Sequence, residues 1–209
     1  MNDPEIRQAF HNIVLRNYHE DSDALVVDEL GLEEGKCRAD IAVVNGNLDG
    51  YEIKSGADSL TRLNQQVISY NAVFDHSSII LEEKHLADAS RKLPVWWGII
   101  LVSENMHEEL MFETIKPPLM NPIVNNYAVA QLLWREEAQE ILFNLGIRGS
   151  RLRQKRSILY SDIIEMIDSV GLRCIVREYL KKRQNWRPLV RPSLNDGLCR
   201  PNAMSLNFQ

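Results

Sequence analysis

Between Arg38 and Ser55 the chain reads RADIAVVNGNLDGYEIKS, and Asp40, Glu52 and Lys54 within it are residue types that together can hydrolyse a phosphodiester. Two convergent carboxylates hold a divalent cation. An ammonium two positions past the second carboxylate can reach the activated water and the charge that builds on phosphorus. The strand period tests whether these groups meet. Alternation puts Glu52 and Lys54 on one face, about 6.6 Å apart at ~3.3 Å per residue, with Ile53 pointing the other way. On the preceding strand, Asp40, Ala42 and Val44 share a face, and Asn45-Gly46 is a turn signal. A three-residue loop, Asn45 to Asn47, pairs Val44 with Leu48 and Asp40 with Glu52 on the same side. A two-residue loop without a bulge pairs Asp40 with Tyr51 and separates the carboxylates. Charges on an alternating strand ordinarily mark its solvated face. Here Ile41, Val43, Val44 and Ile53 make both strands apolar, and charges on a buried hairpin need a partner or a metal.

The flanking elements must present further groups. Residues 24–32 read as a strand with Leu25, Val27 and Glu29 on one face, which makes Glu29 a candidate outer or second-metal ligand; the alternative is an edge-strand charge. Residues 57–73 read as a helix capped by Asp58 or Ser59, with an apolar stripe of Leu60, Leu63, Val67 and Phe74. Arg62, Gln66 and Tyr70 form a polar row beside that stripe. By spacing alone this row is a solvated helix face.

The D-x11-E-I-K arrangement, with an apolar strand around each half, resembles the PD-(D/E)xK phosphodiesterase superfamily of restriction endonucleases, Holliday-junction resolvases and RecB-type nucleases. Ala39 stands where the eponymous proline would be. The chain is also similar to a small bacterial family within that superfamily that carries ELGL, RADIAV, YEIKS and QxxxY elements, here Glu29 to Leu32, Arg38 to Val43, Tyr51 to Ser55, and Gln66 to Tyr70. The resemblance implies a restriction endonuclease-like αβββαβ core with a mixed central sheet. It also implies a Mg²⁺- or Mn²⁺-dependent nuclease, DNA favoured, in repair, processing or defence. Asp40, Glu52 and the Ile53 carbonyl would hold the metal, Lys54 would position the water, and Gln66, Tyr70 and Arg62 would orient the scissile strand.

Length and composition agree with such a core. At 209 residues and 44% apolar the chain supports one sizeable domain or a core with an appendage. Cys37, Cys174 and Cys199 are scattered, without disulfide or zinc spacing. No signal peptide or apolar run of ~18 residues appears, so a cytoplasmic protein without a membrane partner is expected. A helix opens with Asp3 as cap and Pro4 at its first position, carrying Ile6, Phe10 and Ile13. Strands follow at 24–32, 38–45, 48–55, 78–81 and 95–102, with an edge strand at 110–115. Trp96 and Trp97 read as core. His11, His19, His76, His85 and His107 show no ligand spacing.

After Pro117, Pro118 and Pro122 the pattern turns helical, dividing the chain into a core at 1–120, a basic helical region at 121–187 and a poorly ordered tail at 188–209. Helices are expected at 128–145, around Ile163 to Ile167 ending near Gly171, and from Leu172 to Leu180. Residues 148–191 carry twelve Arg and Lys against four acids, whereas the rest has twelve against 25. Arg148, Arg151, Arg153, Lys155 and Arg156 form one cluster, and Arg173, Arg177 and Lys181 recur every fourth residue. Such charge suits a phosphate backbone; the alternative is a surface docking on the acidic remainder. A homodimer, through the edge strand or the C-terminal helices, or an inhibitory or accessory protein are further partner classes. The rival functional reading is a catalytically inactive nucleic-acid-binding or regulatory protein on a nuclease-like scaffold.

Overall fold

Short apolar alternating segments and amphipathic helices assemble into a mixed α/β fold in the computed structural model, which describes residues 1–183. Helix α1 (Asp3–Ile13) is opened by Asn2, whose side chain accepts from Glu5 N while Glu5 returns the bond to Asn2 N. The cap is therefore one residue earlier than Asp3, because Asn2 with Glu5 completes a reciprocal box. A short α2 (Arg16–Glu20) precedes the strands β1 (Leu25–Leu32), β2 (Cys37–Val44) and β3 (Leu48–Lys54). Then come α3 (Leu63–Val73), β4 (His76–Leu81), α4 (Leu86–Lys92), β5 (Gly98–Glu104) and β6 (Leu110–Lys116). Four helices end the described chain: α5 (Asn126–Ala130), α6 (Arg135–Asn144), α7 (Arg156–Met166) and α8 (Ser169–Lys182).

The six strands form one sheet in the order β1-β2-β3-β4-β5-β6, with β3, β4 and β5 parallel and the other pairs antiparallel. Helices α1 and α2 cover one face, where Ile6, Phe10 and Leu15 pack on Val26, Ile41, Val43, Ile53, Ile80, Ile100 and Val102. The opposite face carries α3 and α5 to α8 in a single cluster running from Val27 through Tyr70 and Trp97 to Leu142, Ile163 and Leu180. The helices after residue 125 thus share the hydrophobic core of the sheet.

Several boundaries shift for identifiable reasons. The segment from 57 to 73 is not one helix. Ser59 caps a 3-10 turn at Leu60–Arg62, and the α-helix starts only at Leu63. Strand β5 begins at Gly98, not Val95, because the indole N–H groups of Trp96 and Trp97 both turn to Asn71 Oδ1 (3.2 and 2.8 Å). A buried indole requires such an acceptor. The expected 128–145 helix divides where Glu137 caps Trp134 N, and Gly171 falls in the first turn of α8 under the Asp168 cap. The tail at 188–209 and Cys199 lie outside the described residues. Among the described residues no helix is long and apolar enough to cross a membrane.

One irregularity sets up the site. In β1 and β2, Asp28 pairs with Ile41 and Leu30 with Ala39, leaving Glu29 opposite Asp40 between them. Glu29 has φ of 56°, in the left-handed region. Val27 and Leu30 both reach the α3-side core, as do Ala39 and Ala42, although each pair is separated by an odd step. Both strands therefore change phase at the same rung, in the manner of facing bulges. The alternation that placed Glu29 with Leu25 and Val27, and Asp40 with Ala42 and Val44, is broken there.

Candidate active site

The β2–β3 turn has the three-residue form, with Val44 paired to Leu48 and Ile41 to Tyr51. The ladder ends at that last pair. Beyond it the Ile53 N–H is taken by the Asp40 side chain, whose Oδ2 accepts it at 2.7 Å. Asp40 and Glu52 thus come together at the fraying end of one hairpin, Asp40 lying in the gap between strands and Glu52 on the α3 side.

Glu52 is 1% exposed and Lys54 6%. Lys54 Nζ donates to Glu52 Oε1 at 2.5 Å, and Gln66 Nε2 donates to the same oxygen. The Tyr70 hydroxyl donates to Glu52 Oε2 at 2.8 Å and accepts from Asp40 N at 3.2 Å, so one phenol ties the two acid-bearing strands together. Tyr70 is fully buried, and burial, reinforced by Glu52 and Asp40, pushes its phenol well above its ordinary value. It stays a neutral hydroxyl. Of the polar row on the helix, Gln66 and Tyr70 enter the site, whereas Arg62 is exposed at the start of α3 and touches none of these groups.

Asp40 is the electrostatically stressed member. Burial and neighbouring Glu52 push it up to about 7, against the Ile53 N–H and the Arg7 guanidinium, which pull it down. Arg7, on α1, is a member of the site that the sequence pattern alone did not single out. It donates to the Asp40 main-chain oxygen, lies 3.4 Å from Asp40 Oδ1 and 3.2 Å from Glu29 Oε1, and also meets Asp3 and Asp28. Its signal is present: Asp3 and Arg7 are spaced for an i,i+4 pair, and Arg7 lies between the core residues Ile6 and Phe10. Glu29 is held by Arg7 and, at 4.0 Å, by Arg38. Its carboxylate belongs to this cationic clamp, not to the Glu52 cluster, because the phase change turns it away.

The loop after Lys54 is pinned. Ser55 N and Oγ both donate to Asp58 Oδ2, Gly56 N donates to Glu82 Oε1, and His85 Nε2 lies 3.2 Å from Ser55 O. A Cβ at Gly56 would come to 2.7 Å from the Glu82 carboxylate and would push that side chain off the Gly56 N–H.

The donors suit a hard divalent cation of particular habit. Among the described residues no group of three or more His, Cys, Asp or Glu could hold a metal. Two carboxylates are present, however, and Gln66 Oε1 is a buried acceptor without a partner. Two acids, a spare amide oxygen and a main-chain carbonyl match a cation that retains several waters, as Mg²⁺ and Mn²⁺ do.

The basic residues divide into two classes. Arg173 and Arg177 are drawn onto Asp75 (3.1 and 3.6 Å), and Lys181 onto Asp23 (2.8 Å) and Glu178 (3.0 Å). The expected phosphate-binding stripe on α8 is therefore a docking seam with the acidic body, because the 4% exposed Asp75 side chain requires counter-charge. Arg151 is bound to Asp162, and Arg148 lies over the Phe143 ring. Arg153, Lys155 and Arg156 are exposed and make no ion pair among the described residues.

Comparison with known proteins places the chain. Protein cII of Enterobacteria phage P4 is 26% identical over 159 residues, 76% of this chain and 58% of that protein, so the chain spans a little over half the length of this curated relative. A solved protein of unknown function from Silicibacter pomeroyi, SPO1766, aligns over 74% of this chain and 92% of its own, with 13% identity and a TM-score of 0.43. The family model described as bacteriophage P4 protein cII matches residues 1–206, essentially the whole sequence, and the chain belongs to that family.

Proposed function

We propose that this protein is a metal-dependent nuclease, built on a restriction endonuclease-like core, that hydrolyses phosphodiester bonds in nucleic acid, with DNA as the substrate. The observation that carries the reading is the convergence of Asp40, Glu52, Lys54, Gln66 and Tyr70 at one end of β3. A surface charge set has no reason to be this buried or this fully bonded. Asp40, Glu52 and the Ile53 carbonyl would hold Mg²⁺ or Mn²⁺, with Gln66 Oε1 able to join them. When bound, the cation supplies Lewis acidity and lowers the pKa of a coordinated water. Lys54 takes up charge developing on the phosphoryl oxygens and orients the water. Tyr70 fixes the Glu52 carboxylate, and the loop pinned by Asp58, Glu82 and His85 holds Lys54 in place. Arg153, Lys155 and Arg156 provide the exposed positive charge for the backbone; Arg173, Arg177 and Lys181 do not.

A second reading has a specific observation in its favour. Each acid already has an internal cation, Lys54 for Glu52 and Arg7 for Asp40. A nucleic-acid-binding or regulatory protein that keeps the scaffold without turnover would look the same. The deciding experiment incubates wild type and Lys54→Ala with linear, nicked, branched and single-stranded substrates under Mg²⁺, Mn²⁺ or EDTA. Metal-dependent cleavage that disappears in the variant is the expected result. Binding without cleavage under every metal selects the second reading.

A further inference from the structure

At the end of the sheet opposite Glu52, a cavity of about 470 Å³ opens beside the Asn45 to Asn47 turn. Its walls combine Arg173 and Arg177 of α8 and Asp75 with the apolar Met120, Pro122, Val124 and Val170. Arg173 and Arg177 share one directly bonded carboxylate, Asp75, and Asp49 is near enough to act on Arg177. Asp75 is nearly spent, since Oδ2 already accepts Leu48 N at 2.9 Å and Oδ1 accepts Arg173 Nη1 at 3.1 Å. Arg173 uses Nε on Ser169 O and, among the described residues, has no partner for Nη2; Arg177 meets Asp75 through Nη1 and, among the described residues, has none for Nε and Nη2. The result is two fixed, half-buried guanidiniums with unspent donors at the floor of a cavity. Beside them is an apolar wall whose rim residues Met120 and Val170 are 54% and 70% exposed.

We infer that this cavity binds a nucleoside monophosphate. A guanidinium fork matches the oxygens of a phosphate dianion, and pre-anchoring by Asp75 reduces the entropy lost on binding. The volume lies within the range of small-ligand pockets. Phosphate sits on Arg173 and Arg177, the base against Met120, Pro122 and Val170, and Asn47 and Asn126 on the lining supply polar contacts to the sugar and base edge. The site is separate from the Glu52 cluster and does not depend on it being catalytic.

Calorimetric titration of the full chain with 5′-mononucleotides, the corresponding nucleosides and inorganic phosphate tests this directly. Mononucleotides bind, and removing the phosphate weakens binding at least about tenfold. Arg177→Gln weakens it by a similar factor. Because Arg177 also supports Asp75, a second variant is needed, and Val170→Trp fills the mouth from an exposed position without touching that ion pair. It abolishes binding while circular dichroism stays unchanged. A 5′-phosphorylated single-stranded oligonucleotide, compared with its unphosphorylated form, distinguishes a free nucleotide from a strand end. Absence of binding by every phosphate-bearing probe, or binding unaffected by Val170→Trp, overturns the assignment.

Discussion

Lys54 is 8% exposed through its side chain and Glu52 1%, so their ion pair is shielded from solvent and salt. Replacing Lys54 by Met leaves a buried carboxylate without its counter-charge. Breaking a buried pair by removing one partner costs ~3–5 kcal/mol. Glu52 retains two neutral donors, Gln66 on Oε1 and Tyr70 on Oε2, which places this case at the lower end, about 3 kcal/mol. For a chain of this size that lowers Tm by roughly 6–12 °C. Urea denaturation in EDTA at pH 7.5 measures it, and the double variant Lys54→Met with Glu52→Gln, in which both charges are gone, recovers at least ~2 kcal/mol of the loss. Millimolar Mg²⁺ stabilises Lys54→Met more than wild type, since the cation replaces the missing ammonium. A Lys54→Met cost below ~1 kcal/mol, or a double variant less stable than either single one, would refute a charged, mutually dependent pair.

Asp40 titrates near 3.8 when unfolded and about 7 when folded, so the native state keeps a proton that the unfolded chain has lost. Its contribution to stability is complete at low pH and disappears as pH rises from about 4 through 7, on the order of 4 kcal/mol for this 19% exposed side chain. Asp40→Asn removes that slope, seen as the difference between two urea-midpoint profiles against pH in EDTA. Gly50→Ala forces a Cβ to within 2.6 Å of the Phe74 ring in the core and destabilises by ~1–3 kcal/mol in the same assay. Changing Arg153, Lys155 and Arg156 together to Gln lowers affinity for any duplex and reduces the slope of log K against log salt by up to roughly 0.9 for each phosphate that is no longer neutralised; Arg173→Gln leaves the slope unchanged.

The strand period locates the strands and puts Glu52 and Lys54 on one face, but it leaves a two- or three-residue turn open, and the pairing of Val44 with Leu48 is what brings Asp40 near Glu52. The period fails at Glu29. A left-handed φ at a glutamate leaves no trace in a hydrophobicity pattern, and the compensating shift opposite it, at Asp40, is equally silent. Arg62, Gln66 and Tyr70 are legible by spacing as one polar row, which spacing alone reads as solvated; that Tyr70 is wholly buried and Arg62 outside depends on where α3 begins, which the Ser59 cap on a 3-10 turn decides. The α8 stripe is visible as charge, but its partners Asp75 and Asp23 are distant in sequence, and only tertiary contact shows that those cations already hold carboxylates of the body. Arg7 is easily overlooked because a lone arginine beside an apolar stripe ordinarily reaches for water.

The facing phase changes at Glu29 and Asp40 also govern how this hairpin can vary in length. Removing one residue at the phase change of either strand alone would leave the residue opposite it as an ordinary bulge, so that the buried side stays buried but the ribbon still bends at that rung. Only matched deletions, one per strand, would straighten the ribbon, and they would erase the kink that delivers Asp40 to Ile53. Relatives that retain this acid should therefore accumulate their insertions in other connections and keep the spacing from Val27 to Ala42 constant.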